Sequence, residues 1–191
     1  MYAPSSRFYI GIDPSLTSTG LVIIGQNHPH TQLIQPKELR GVSRLDYILS
    51  AVEEALLTCM GDGLCELYAA IEGPALHAVN RADDLGQVRG ILLLHLYRSH
   101  VSTLTIAPTS LKKFATGNGQ ANKDKMISTA ATELDRELSN DEADAYWLAR
   151  VAESYYGEVF HLTRAQREVL HGIRKPKAKK SSPKLSRDIS V

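Results

Sequence analysis

Residues 7–25, RFYIGIDPSLTSTGLVIIG, decide the fold. Phe8, Ile10 and Ile12 alternate with Tyr9 and Gly11, the period of two expected of a strand with one face in a core. The turn residues of Pro14-Ser-Leu-Thr-Ser18 break that pattern. TGLVIIG (residues 19–25) reads as a second strand and residues 31–36 as a third, so two successive hairpins predict an antiparallel start.

Further along, Val42, Leu45, Ile48, Leu49, Val52, Leu56 and Leu57 recur at helical spacing over residues 42–60. Residues 66–72 form an apolar strand of the buried type. A helix is predicted at about 80–99 and a short strand at 103–107. Pro108 opens a short helix, and a Gly117-x-Gly119 loop leads to a helix at about 123–138. A core helix follows at about 140–156 and a short one near 163–172. This order predicts an α/β fold: a mixed five-stranded sheet, three antiparallel strands followed by parallel ones, with helices on both faces. Ligands of such sheets bind beyond the carboxyl ends of the parallel strands. Asp13 and Glu72 fall at those ends.

The chain has 191 residues, 43% of them hydrophobic, enough for one domain with a real core and a tail. No run of about 18 apolar residues predicts a membrane span, and the N-terminus is too short and polar before the first strand to read as a secretory signal. Cys59 and Cys65 are expected as reduced thiols in a cytosol-like compartment. The net charge of +1 hides an asymmetry: residues 158–191 hold nine Lys/Arg and three Asp/Glu, a net +6, which leaves −5 on residues 1–157. Residues 1–157 are expected to form the folded domain. Residues 158–191 are expected to be a basic extension, disordered in part, that meets phosphates or a partner protein.

Four acids stand out. Besides Asp13 and Glu72, Asp141 and Asp144 lie three apart in SNDEADAYWLA. Ser139 and Glu142 fit a capping box, which accounts for Glu142. It does not account for Asp144, which continues the apolar stripe of Leu148 and Val151, with Asp141 one turn away on the same side. Like charges at the rim of a core cost stability unless a cation holds them. Hard oxygen donors without His or Cys favour Mg²⁺ or Mn²⁺, and two such ions suit in-line displacement at a phosphodiester. In TSLKKFATGNGQANKDK, Lys112, Lys113, Lys123 and Lys125 flank the glycine loop as candidate DNA-phosphate contacts. Arg81 is taken with them, and a lysine near the scissile phosphate is a candidate for transition-state stabilisation.

GIDPSLTSTG, AAIEGPAL, DDLGQVRG, the Gly-x-Gly…Lys stretch and DEADA, in that order over residues 7–156, resemble RuvC-type Holliday-junction resolvases of the ribonuclease H-like superfamily. The resemblance implies Asp13, Glu72, Asp141 and Asp144 as catalytic metal ligands and Lys112 and Lys123 as functional lysines. It also implies Mg²⁺, and a homodimer that cuts opposed strands of a four-way DNA junction in a bacterial or phage-infected cytoplasm. The 80–99 helix is then the dimer interface, for which Gly86 and Gly90 allow close approach and Ile91, Leu92, Leu94 and Leu96 supply apolar area. Family members commonly carry an aromatic residue three positions after the second acid, where this chain has Ala75, followed by Leu76 and His77. With its longer basic tail, this fits a phage-encoded or divergent member. Three other readings differ in one feature each. An actin-like or sugar-kinase ATPase needs a second phosphate-binding lobe. A ribonuclease H-like nuclease acting on other branched DNA or RNA differs in substrate. A non-catalytic DNA scaffold would not need the acid set.

Overall fold

The computed structural model describes residues 6–25, 28–60, 65–74, 82–157, 159 and 161–174. In chain order the elements are β1 (Ser6–Asp13), β2 (Thr19–Ile24), β3 (His30–Ile34), α1 (Gly41–Met60), β4 (Cys65–Glu72), α2 (Ala82–Arg98), β5 (Ser102–Ile106), α3 (Pro108–Thr116), α4 (Lys123–Leu134), α5 (Asn140–Tyr156) and α6 (Arg164–Arg174). One five-stranded sheet has the order β3-β2-β1-β4-β5. β1 is antiparallel to β2 and β2 to β3, whereas β1, β4 and β5 run parallel. The predicted order and mixed sheet are therefore present.

The period-two alternation of β1 separates two cores. Ile10, Ile12, Leu21, Ile23 and Ile71 face α1 and α2, where Ile48, Val52, Leu56, Val88, Leu92 and Leu96 cover them. On the other face Val22, Ala70 and Ile106 meet Leu111, Phe114, Met126, Trp147, Leu148 and Val151. α5 lies directly on this second face because β1 and β2 are bare there. A Cβ on Gly11 would stand 1.9 Å from the Ala145 carbonyl oxygen and 2.4 Å from the Ala149 nitrogen, and one on Gly20 would stand 2.1 Å from the Asp141 carbonyl oxygen. The helix backbone thus occupies the space that side chains would fill elsewhere.

The structure corrects several boundaries. β3 ends at Ile34, not 36. α4 stops at Leu134, not 138, because Asp135 turns left-handed (φ 51°) and its N–H closes on the Ala131 carbonyl. On α2, Leu92 and Leu96 are fully buried against the sheet, so they supply no area to a second chain. Beyond residue 157, α6 packs back on the body, and its Val169 and Leu170 join the α3–α5 core. Cys65 is a free thiol. Residues 175–191, with most of the basic tail, lie outside the described residues, as do Arg81, Ala75, Leu76 and His77.

Gly11→Ala should lower the unfolding free energy by about 3 kcal/mol, since a Cβ there forces the α5 backbone away from β1. Urea denaturation measures this. A loss under about 1 kcal/mol would mean that α5 lifts freely and that the contact organises nothing.

Candidate active site

Strand register brings the first two acids together. Ile12 of β1 lies opposite Ile71 of the parallel β4, so Asp13 and Glu72 follow at adjacent carboxyl ends. Each end is fixed by its own hydrogen bonds. After Asp13, the buried Thr19 hydroxyl donates to the Ser15 carbonyl at 2.7 Å, and the Ser15 N–H donates back to that hydroxyl at 3.1 Å. After Glu72, the Gly73 N–H donates to the Ile106 carbonyl at 2.7 Å. Arg89 Nε on α2 donates to the Glu72 carbonyl at 3.0 Å.

The other two acids arrive one turn apart at the start of α5, Asp141 in its first turn and Asp144 in the next. Ser139 Oγ accepts from the Glu142 N–H at 3.2 Å, and the Glu142 carboxylate accepts from the Ser139 N–H at 2.9 Å, completing the predicted capping box. Glu142 also accepts from Thr31 and is paired with Arg136. Burial pulls its carboxyl upward, but the Ser139 hydrogen bonds and the Arg136 charge leave it below the ordinary carboxylate range. It is a cap and not a member of the cluster. Asn140 Nδ2 donates to Asp141 Oδ1 at 3.3 Å and to Asp144 Oδ2 at 3.5 Å.

The charges of the four acids act on one another. Asp13, only 8% exposed, is held well above its ordinary value, first by burial and then by the charges of Glu72, Asp144 and Asp141. Glu72 is pushed up to about 7 by burial and by the Asp144 charge; its hydrogen bond with Asp13 and the charges of Arg89 and Lys112 oppose this. Asp144 is pushed up to about 6 by burial and by Asp141, against Lys123, Lys112 and the Asn140 amide. Burial and like charge act together here.

These acids sit within the region for which known sequences give a family. The family model "Crossover junction endodeoxyribonuclease RuvC" matches residues 9–151. This chain belongs to the RuvC family of crossover junction endodeoxyribonucleases. The RuvC of Anaeromyxobacter dehalogenans (strain 2CP-C) is 30% identical over 146 residues, 73% of this chain and 77% of that protein. That of Parvibaculum lavamentivorans is 30% identical over 125 residues, 64% of this chain and 71% of that one. Thermus thermophilus RuvC, solved in complex with a Holliday junction substrate, has the same ribonuclease H-like fold: the TM-score is 0.64 at 20% identity, covering 85% of this chain and 96% of that one. The family is divalent-metal dependent.

The donor set fits such an ion. Three of four convergent carboxyls are held in a state that disfavours their own charge, and Arg89, Lys112 and Lys123 offset this only in part. A divalent cation relieves both burial and mutual repulsion. Among the described residues, no three His, Cys, Asp or Glu side chains stand close enough together to hold a metal ion as they are placed, so the fit rests on the chemistry of the donors.

The predicted lysines divide. Lys112 and Lys123 act on the cluster. Lys113 pairs with Glu168 of α6 at 2.8 Å. Lys125 lines a groove with Ser128, Thr129, Thr163 and Arg164. On α2, Cβ atoms at Gly86 and Gly90 would meet nothing within 4 Å, and Leu94 is 48% exposed beside Tyr97 at 78%. Sequence reasoning missed Arg89 and Asn140. Arg89 stood in the quoted DDLGQVRG, one residue past the buried Val88. Asn140 stood between the cap and the first acid of the pair.

The raised carboxyls set a pH dependence. Glu72 binds its proton more tightly in the folded chain (about 7) than at its ordinary 4.5. Its contribution to stability is therefore present at low pH and lost as pH rises from about 4.5 through 7. Asp144 acts in the same direction between 3.8 and about 6. Without divalent ions, the wild type should lose on the order of 2 kcal/mol relative to Glu72→Gln between pH 5 and pH 8. Chemical denaturation of both at the two pH values tests this; equal pH dependences would remove Glu72 from a buried cluster.

Proposed function

We propose that this chain is a homodimeric endonuclease that cuts four-way DNA junctions by metal-assisted phosphodiester hydrolysis in the cytoplasm, with two Mg²⁺ ions per site and Mn²⁺ able to replace them. The observation that carries the reading is the convergence of Asp13, Glu72, Asp141 and Asp144 at one edge of the sheet in a chain of the RuvC family. The relatives are named as crossover junction endodeoxyribonucleases, and the Thermus thermophilus protein was solved with a Holliday junction.

Divalent ions bound by these four acids would activate the attacking water and neutralise charge on the scissile phosphate and leaving oxygen. The chain's own groups do the rest. β1 and β4 hold Asp13 and Glu72 on rigid strand ends, and the capped α5 presents Asp141 and Asp144 to them, so the donors are oriented before substrate arrives. Arg89 braces the Glu72 main chain. The ammonium groups of Lys112 and Lys123, which oppose the charge of Asp144, would face the phosphate and stabilise charge that develops in the transition state. Lys123 is assigned the catalytic part and Lys112 the DNA-holding part, with Lys125, Arg81 and the basic extension as further backbone contacts. Two sites act on opposed strands if a second copy packs on α2. The open Gly86 and Gly90 positions and the exposed Leu94 and Tyr97 support that face.

Among the described residues no helix is long and apolar enough to cross a membrane.

Asp13→Asn should reduce cleavage of a synthetic four-way junction at least a hundredfold while changing junction affinity in the absence of Mg²⁺ by less than about threefold, because Asp13 is assigned to metal and not to phosphate. Cleavage and gel-shift assays on one preparation, with linear duplex and RNA hybrids as controls, measure both. Full activity of the variant would sink the metal assignment, and equal cutting of the controls would sink the junction.

A further inference from the structure

Asn140 contacts two of the acids and leaves one of its own polar atoms unpaired. It occupies the first turn of α5, between the Ser139 cap and Asp141. Its Nδ2 reaches both Asp141 Oδ1 (3.3 Å) and Asp144 Oδ2 (3.5 Å). Its Oδ1 is buried with no hydrogen-bond partner, the single such side-chain atom among the described residues. The amide orientation follows from chemistry: the flipped form would set a lone-pair oxygen against two carboxylates and strand the N–H group instead. A buried acceptor without a partner is a cost to the folded chain. Two donor contacts at long range to acids that repel each other do not compensate as ordinary hydrogen bonds would.

We propose that Asn140 is a positioning residue of the metal centre, its amide nitrogen contacting both Asp141 and Asp144 and so holding the two carboxylates in orientation for a divalent cation. The assignment rests on the reading of Asp141 and Asp144 as metal ligands. A neutral donor suits the place. A lysine or arginine there would neutralise the acids and compete with the cation, and an aliphatic side chain would let them part. The residue also acts on the right partners: Asp144 lies within the reach of Asp13, Glu72 and Lys112, so its orientation propagates through the cluster. Residues that orient metal ligands from outside the coordination shell typically change metal affinity by about 10–100-fold when removed.

The test uses the full chain, with Mn²⁺ as the probe, read by isothermal titration calorimetry. Asn140→Ala and the near-isosteric Asn140→Leu are compared with the wild type, and metal-free thermal unfolding is recorded for each. Both variants should bind Mn²⁺ about tenfold or more weakly, and neither should unfold at a lower temperature without metal, since each removes the unpaired oxygen. Unchanged Mn²⁺ affinity would overturn the proposal. So would a loss of affinity matched by a loss of metal-free stability, which would make Asn140 a structural residue. A wild type that binds no Mn²⁺ would instead overturn the ligand assignment of Asp141 and Asp144.

Discussion

The backbone of α5 rests on β1 and β2 at distances that admit no side chain, and the active site depends on that contact. Gly11 and Gly20 leave the sheet bare under Ala145, Ala149 and Asp141. The helix therefore sinks far enough for its N-terminal end to meet the carboxyl ends of β1 and β4. A helix held off by ordinary Cβ atoms would carry Asp141 and Asp144 away from Asp13 and Glu72. The small residues of α5 serve the same end: Ala143, Ala145, Ala149 and Ala152 are all buried, so the helix presents backbone and methyl groups to the sheet.

This close seat has an electrostatic consequence. Acids brought under a helix end lose water and face one another, and Asp13, Glu72 and Asp144 are all held above their ordinary range as a result. The fold tolerates this because the helix start is satisfied elsewhere. Ser139 and Glu142 cap it reciprocally, which leaves Asp141 and Asp144 free of capping duty. One acid stabilises the helix terminus and its neighbours on either side are available for an ion. Functional sites are where such local costs are expected to gather.

Much of this was legible in the sequence, for reasons that are local. The alternation in RFYIGID gives both the strand and the sorting of Gly11 to one face and Ile10 and Ile12 to the other. SNDE announces its own capping box, and Asp144 is conspicuous because it interrupts an apolar stripe. What escaped the reading depends on contacts between distant elements. Lys113 looks like any exposed lysine until α6 brings Glu168 to it. Arg89 is one residue from a buried valine, and nothing nearby says that it turns to the Glu72 carbonyl. Leu92 and Leu96 are apolar like Leu94, and only the phase of α2 against the sheet separates the two that are buried from the one that is exposed. α4 lost its last turn to a left-handed Asp135, a conformation that Asp tolerates but does not announce.

The central claim is that a sunken helix and two parallel strand ends make one cation site from Asp13, Glu72, Asp141 and Asp144. Anomalous diffraction from crystals grown with Mn²⁺ tests it most directly. The account predicts two peaks about 3.5–4 Å apart, bounded by these four carboxylates. A map with no peak among them, or with Mn²⁺ bound only at other acids, would contradict it.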